Sequence, residues 1–281
     1  MLEVRLLGQF DVKVRGVQVA VPYRGAPLLL AYLILNKDVV HSREKLAGIL
    51  WPDSNEANAR ANLRRALYQL RRVLKAAGSM RDYFLSDDLS IGFDSSSDYW
   101  LDVAVLEQRL GGSAPPEDLA RAAGVYRSEF LPGYYDSWVL LERERLQAVF
   151  ERRMHALLDS LVAARRWPEV LEWGERWIAT GQVPEPAYRA LMVAHAALGD
   201  AAGIASVFQR SAEALRRELG VEPSEQTRSL YAQLVRGDRP AVATAAPSGG
   251  RATTEGARET ARHGIEAEGA VESRTTMPIV D

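Results

Sequence analysis

The chain has 281 residues, 47% hydrophobic and 26% charged, with a formal net charge of -2 and no cysteine. That length predicts two domains or one large one, with enough apolar material for two cores. The absent cysteines exclude disulfides, thiolate metal sites and cysteine nucleophiles, and the near-neutral charge excludes a generic nucleic-acid coat, so any basic character must act locally.

The N-terminal run MLEVRLLGQF is too short and lacks a small-residue cleavage site, so no signal peptide is expected. No apolar run of about 18 residues exists to span a membrane, and a cytoplasmic protein is expected. Leu2, Val4 and Leu6, then Phe10, Val12 and Val14, alternate with charged neighbours. Gly8 and Arg15-Gly16 punctuate them, which predicts three short antiparallel strands in a meander. LLLAYLIL after Pro27 predicts a helix ending near Asn36. Ser42 is suited to cap a second helix, REKLAGILW, which Pro52 stops.

The loop PDSNE leads into the most informative stretch, Ala57 to Lys75, which carries six basic residues and no acid. At about 100° per residue, Leu63, Ala66, Leu67, Leu70, Val73 and Leu74 share an arc about 120° wide. Arg60, Arg64, Tyr68, Arg71 and Lys75 share a neighbouring arc about 80° wide, with Arg65 and Arg72 just beyond it. One face buries while the other presents guanidinium groups to an anion, a pattern that fits a major-groove reader and also fits a solvated basic face. Gly78 ends this helix. Asp82 to Leu85 and Leu89 to Phe93 predict a hairpin turning at Ser86-Asp87-Asp88, and Asp102 is placed to cap a short helix, VAVLEQRL.

Strands, helix, helix, basic helix and hairpin are the order of a winged helix-turn-helix. LLGQFDV (6–12), LAGILWPD (46–53), ARANLRRALYQLRRVL (59–74) and SDYWLDV (97–103) resemble, in that order, the OmpR-type winged helix of SARP-like bacterial transcriptional activators. From Pro115 the pattern is helical, with LPGYYDSW turning into a long run to Ala164 and Arg165-Arg166-Trp167-Pro168 breaking it. Residues 161–177 align with 195–211 at an offset of 34, setting Val170 on Ile204 and Arg165-Arg166 on Gly199-Asp200. That period is tetratricopeptide-like. FLPGYYDSWVLLERERL and LRRELGVEPSEQTRSLY resemble the bacterial transcriptional activator domain that follows the winged helix in the same family.

The expected fold is therefore an α+β winged helix-turn-helix domain over 1–103, an all-α tetratricopeptide-like domain over 104–236 and a disordered tail over 237–281. The tail holds too few large apolar residues to offset chain entropy. No G-x-x-x-x-G-K-[ST] occurs, so the ATP-hydrolysing module of larger relatives is not expected.

The expected DNA-binding residues are Arg60, Arg64, Arg65, Tyr68, Arg71, Arg72 and Lys75. Arg60, Arg64 and Tyr68 are assigned to bases or groove; Arg71, Arg72 and Lys75 are assigned to phosphates. Asn62 and Gln69 serve adenine or are exposed filler, and Arg65 lies in reach of Glu56 or Asp53. The resemblance implies double-stranded promoter DNA and RNA polymerase as partners and a homodimer on repeated half-sites, with Asp53, Asn55 and Glu56 as the polymerase-facing loop. Trp51 is expected to pin that loop to the basic helix. The hairpin tip departs from a cationic wing, since Asp87 and Asp88 repel phosphate. Tyr83, Phe84, Tyr99 and Trp100 are expected in the core and at the domain junction. Tyr134, Tyr135, Trp138, Trp167, Trp173 and Trp177 are expected between the C-terminal helices.

No enzyme, cofactor or metal is expected. His41, His155, His195 and His263 lack ligand spacing, no G-x-S-x-G elbow occurs, and Glu142, Glu144 and Asp159 are expected in solvated i,i+4 pairs with nearby arginines. The expected function is a sequence-specific transcriptional activator. Its alternatives are a protein-interaction adaptor and a truncated relative of a larger ATP-dependent regulator.

Overall fold

A computed structural model describes residues 1–111, 114–181 and 183–237; the expected tail lies, from 238 on, outside the described residues. Its N-terminal part mixes strands and helices and the remainder is helical. β1 (Leu2–Arg5), β2 (Asp11–Val14) and β3 (Val17–Gln18) form the expected meander. Leu2 pairs with Val14 and Val4 with Val12, so the alternating apolar residues share one buried face. β7 (Tyr99–Leu101) adds to β1 in parallel, giving the order β3-β2-β1-β7.

Helix α1 (Gly25–Leu35) is apolar all round and buried along nearly its whole length, as a central helix must be. α2 (Arg43–Leu50) starts at Ser42, whose Oγ accepts from the Lys45 amide, and α3 (Glu56–Ala76) packs on both α1 and α2. β5 (Phe84–Ser86) and β6 (Ser90–Phe93) form the expected hairpin. A two-residue β4 (His41–Ser42) joins β6 and completes a second sheet ordered β4-β6-β5.

Asp102 differs from its expected role as a flanking cap. It is the first residue of α4 (Asp102–Glu107) and is only 1% exposed. Its Oδ1 accepts from the Val103 amide at 2.8 Å, while Oδ2 accepts from the Leu6 and Leu7 amides at 2.8 Å each. One carboxylate thus satisfies a helix start and the two amides that follow β1. Burial pushes the Asp102 carboxyl above the usual range, against these three amides, which hold it down.

The helical part comprises α5 (Pro116–Gly124), α6 (Ser137–Ala163), α7 (Trp167–Ile178), α8 (Glu185–Ala197), α9 (Ala201–Leu219) and α10 (Glu225–Val235). From α6 to α9 successive helices are joined by only three to six residues, and α6 packs on α7, α7 on α8 and α8 on α9. The internal repeat has a structural counterpart. Arg165 and Gly199 both turn the chain in the left-handed region (φ 56° and 76°), and Val170 and Ile204 are both buried.

One apolar core runs without a break from Leu2 through Phe130 and Trp177 to Ala194, and a smaller one joins α8, α9 and α10. The N-terminal part meets the helical part through the backbone. Gly8 donates to the Glu129 carbonyl and Leu131 to the Leu6 carbonyl, each at 3.0 Å. Arg143 donates to the carbonyls of Phe130, Leu131 and Tyr134 at 3.0 Å each and pairs with Glu129 at 3.2 Å, which holds that crossing in shape. Arg153 likewise binds the Leu106 and Gln108 carbonyls. Arg145 pairs with Glu142 at i,i+3 and with Glu107 on α4. The aromatic junction is also not where it was expected. Tyr83 and Phe84 are core, but Tyr99 lies against Phe93 and accepts from Lys37 Nζ, and Trp100 lies under Arg5. Rings join the two parts where Tyr32 packs against Trp138 at 5.3 Å and where Arg24 lies over Tyr134, 5.0 Å from its centroid. Tyr135, expected between helices, is 72% exposed.

Candidate nucleic-acid interface

The site is built on α3, and its local sequence explains its start. Asn55 is in extended backbone and its Oδ1 accepts from the Asn58 amide at 2.9 Å, an N-cap, while Glu56 sits in the first turn where the helix dipole favours an acid. Leu63, Ala66, Leu67, Leu70 and Leu74 bury the inner face. Two of the three expected polymerase-facing residues therefore have local roles; Asp53 is exposed.

The outer face divides its cations into two groups. Arg60 is paired with Glu56 on its own helix and with Glu44 of α2 at 3.7 Å. Both pairs are exposed, and such pairs contribute about 0–1 kcal/mol, so Arg60 is readily released to a stronger anion. Arg65 meets neither Glu56 nor Asp53. Its guanidinium lies over the Tyr23 ring, 4.8 Å from the centroid, because the chain entering α1 brings Tyr23 to the shoulder of α3. The Tyr23 hydroxyl donates to Asn62 Oδ1 at 3.3 Å. Asn62 is thus engaged and Gln69 half-buried, so neither is exposed filler.

Arg71 is turned toward the hairpin. Its Nη2 stands 2.7 Å from Asp82 Oδ2, 2.8 Å from Ser86 Oγ and 3.4 Å from the Phe84 carbonyl. What remains is Arg64, Arg72 and Lys75, all exposed and with no ion-pair partner among the described residues, and Tyr68, 62% exposed between them. These four span about 80° of the helix surface along roughly 16 Å of axis.

At the hairpin tip, Asp87 is a turn residue. Its carboxylate accepts from the Ser90 hydroxyl and from the Leu89 and Ser90 amides, which hold its pKa below the usual range. Arg43 of α2 donates to the Asp87 carbonyl at 2.8 Å. Asp87 thus serves the turn expected at Ser86-Asp87-Asp88, while Asp88 beside it is exposed. Trp51 lies against the start of α1, where a Cβ on Gly25 would stand 2.8 Å from its ring. Among the described residues no group of three or more His, Cys, Asp or Glu is placed to hold a metal, and no helix is long and apolar enough to cross a membrane. His155 and His195 pair with Asp159 and Asp200.

Residues 107–235 match the model of the bacterial transcriptional activator domain. The transcriptional regulatory protein MoaR1 of Mycobacterium tuberculosis is 26% identical over 248 residues, covering 84% of this chain and 79% of the relative. The chain is similar to the SARP-like bacterial transcriptional regulators, a likeness that the 107–235 domain match and MoaR1 both support. MoaR1 of Mycobacterium bovis matches this chain to the same extent. Mycobacterium tuberculosis EmbR, solved in complex with a low affinity phosphopeptide, shares the fold with a TM-score of 0.66 at 19% identity. That match covers 86% of this chain and 66% of EmbR, so the chain spans about two thirds of the solved relative's length.

Proposed function

We propose that this regulator binds promoter DNA through a winged helix-turn-helix over 1–103, with α3 in the major groove and α2 crossing the backbone. The observation that carries the reading is the row Arg64, Tyr68, Arg72 and Lys75, exposed and unmatched by acids in a chain of net charge -2. A helix of this width enters the major groove, where an Arg forks onto guanine O6 and N7. Arg64, nearer the N-terminus of α3, is the base reader, Arg72 and Lys75 hold phosphates, and Arg60 exchanges its exposed carboxylates for DNA.

Residues 104–236, read as tetratricopeptide-like, support a homodimer on repeated half-sites, and the loop at Asp53 faces RNA polymerase. The cytoplasm is where such a protein works. The adaptor alternative drew its support from the acidic hairpin tip. That support weakens because Asp87 is occupied by its own turn.

Footprinting the full chain on DNA upstream of its own and neighbouring genes, at two salt concentrations, tests the reading. The expected result is a pair of protected repeats about one helical turn apart that fades steeply with salt. A folded chain that protects nothing at low salt would overturn it.

A further inference from the structure

The hairpin is held by two arginines from two different helices. Arg71 of α3 grips its base through Asp82, Ser86 and the Phe84 carbonyl, and Arg43 of α2 grips its tip at the Asp87 carbonyl. All three contacts at the base fall on one nitrogen of Arg71, Nη2, while its Nε is buried without a hydrogen-bond partner among the described residues, so this one amino group sets the distance between α3 and the hairpin. To reach a phosphate, Arg71 would abandon all three acceptors and leave Asp82 unmatched beside the nucleic acid. Arg72 and Lys75, one and four positions on, are already free for that purpose.

We propose that Arg71 acts in DNA binding as a positioning residue that fixes the hairpin against α3, and not as a phosphate contact. This rests on the DNA-binding reading above. From Phe84 to Phe93 the hairpin reads FLSDDLSIGF, with no Lys or Arg. Its contribution is therefore one of shape and backbone. Displacing it releases few counterions, so the loss of affinity leaves the salt dependence unchanged.

The test uses the full chain and two duplexes, one selected by the wild-type chain from a random pool and one of unselected sequence. Affinity is measured by anisotropy across a salt series. Arg71→Met and Arg71→Lys are both expected to weaken the selected duplex about tenfold at the wild-type salt slope, since Lys restores the charge but its Nζ ends one bond short of the Nη2 position. Asp82→Asn, at an exposed carboxylate, keeps the Arg71 charge and is expected to weaken binding too. A slope shallower by about 0.9 for Arg71→Met, with Arg71→Lys close to wild type, would mark a phosphate contact and overturn the proposal. So would tighter binding by Asp82→Asn. Failure of the wild-type chain to bind either duplex would overturn both the proposal and the reading beneath it.

Discussion

Gly203 lies so close to His195 that a Cβ at position 203 would stand 2.2 Å from the imidazole Nδ1. The imidazole occupies that space because Nδ1 meets Asp200 Oδ2 at 2.9 Å, while Asp200 Oδ1 accepts from the Gly203 amide at 2.8 Å. One carboxylate thus joins the end of α8 to the start of α9, and glycine is the residue that leaves room for it.

Gly203→Ala is expected to destabilise the chain. The displaced His195 loses its bond, at a cost of about 1 kcal/mol plus local strain, which exceeds the roughly 1 kcal/mol that alanine returns in a helix. In a His195→Ala background the imidazole obstacle is gone, and Asp200 Oδ2, no longer bonded to His195, can turn away while Oδ1 keeps the amide of residue 203. There the same substitution should become neutral or mildly stabilising. Urea melts of the four chains measure this, and an identical effect in both backgrounds would refute it.

Gly48 is the opposite case. It sits in the middle of α2, exposed, with no atom within 4 Å of where a Cβ would stand. Gly48→Ala should raise stability by about 0.5–1 kcal/mol, because alanine loses less backbone entropy and meets nothing. A thermal melt reads the sign directly; no gain in midpoint would show a packing role that the open surface does not suggest.

Asp102 ties β1 to α4, and its acidity carries a stability signature. Its folded-state pKa is raised above the ordinary value of 3.8, so between the two values the folded chain holds more protons than the unfolded chain. Stability from this group is therefore greatest below 3.8 and is lost as pH rises through the folded pKa. Asp102→Ala strands three buried amides and is expected to cost on the order of 3 kcal/mol at low pH, where the contribution of the carboxyl is full, and less above its folded pKa. Asp102→Asn lacks the titration, so wild type should lose stability relative to it as pH rises over that window. Wild type gaining stability relative to Asp102→Asn as pH rises, in paired melts, would contradict the direction.

How much of this was legible in the chain follows from the range of each interaction. Period-two alternation marked β1 and β2, and Ser42 marked the start of α2, because those signals lie within a few residues. The parallel pairing of β1 with β7 joins Leu2 to Tyr99, and nothing local records it. The basic face of α3 was visible as an arc, but its division was not. Arg71 is committed to Asp82 and Ser86 by the way the hairpin folds back, and Arg65 to Tyr23 by the chain entering α1, both consequences of tertiary structure. Arg143 and Arg153 look like members of surface pairs by spacing alone, yet both donate to backbone carbonyls outside their own helix. Sequence spacing shows which residues can share a helix face; it does not show which of them a distant segment will claim.

That division makes the two free arginines of α3 separable by experiment. Arg64 lies in the N-terminal half of the helix and Arg72 two turns later, both exposed and unpaired among the described residues. If the helix enters the groove by its N-terminal half, Arg64→Ala should cost about 1–3 kcal/mol on a selected site and much less on random duplex, flattening discrimination. Arg72→Ala should weaken both duplexes alike and reduce the salt slope by about 0.9, the mark of one lost phosphate contact. Tyr23→Leu offers a control nearby. It removes the ring beneath Arg65 and the hydroxyl bonded to Asn62, so it should loosen the shoulder of α3 without changing the slope. Equal losses on selected and random duplex for Arg64→Ala and Arg72→Ala, with equal slopes, would mean that α3 meets DNA as an undifferentiated cationic surface, and base reading would have to come from elsewhere.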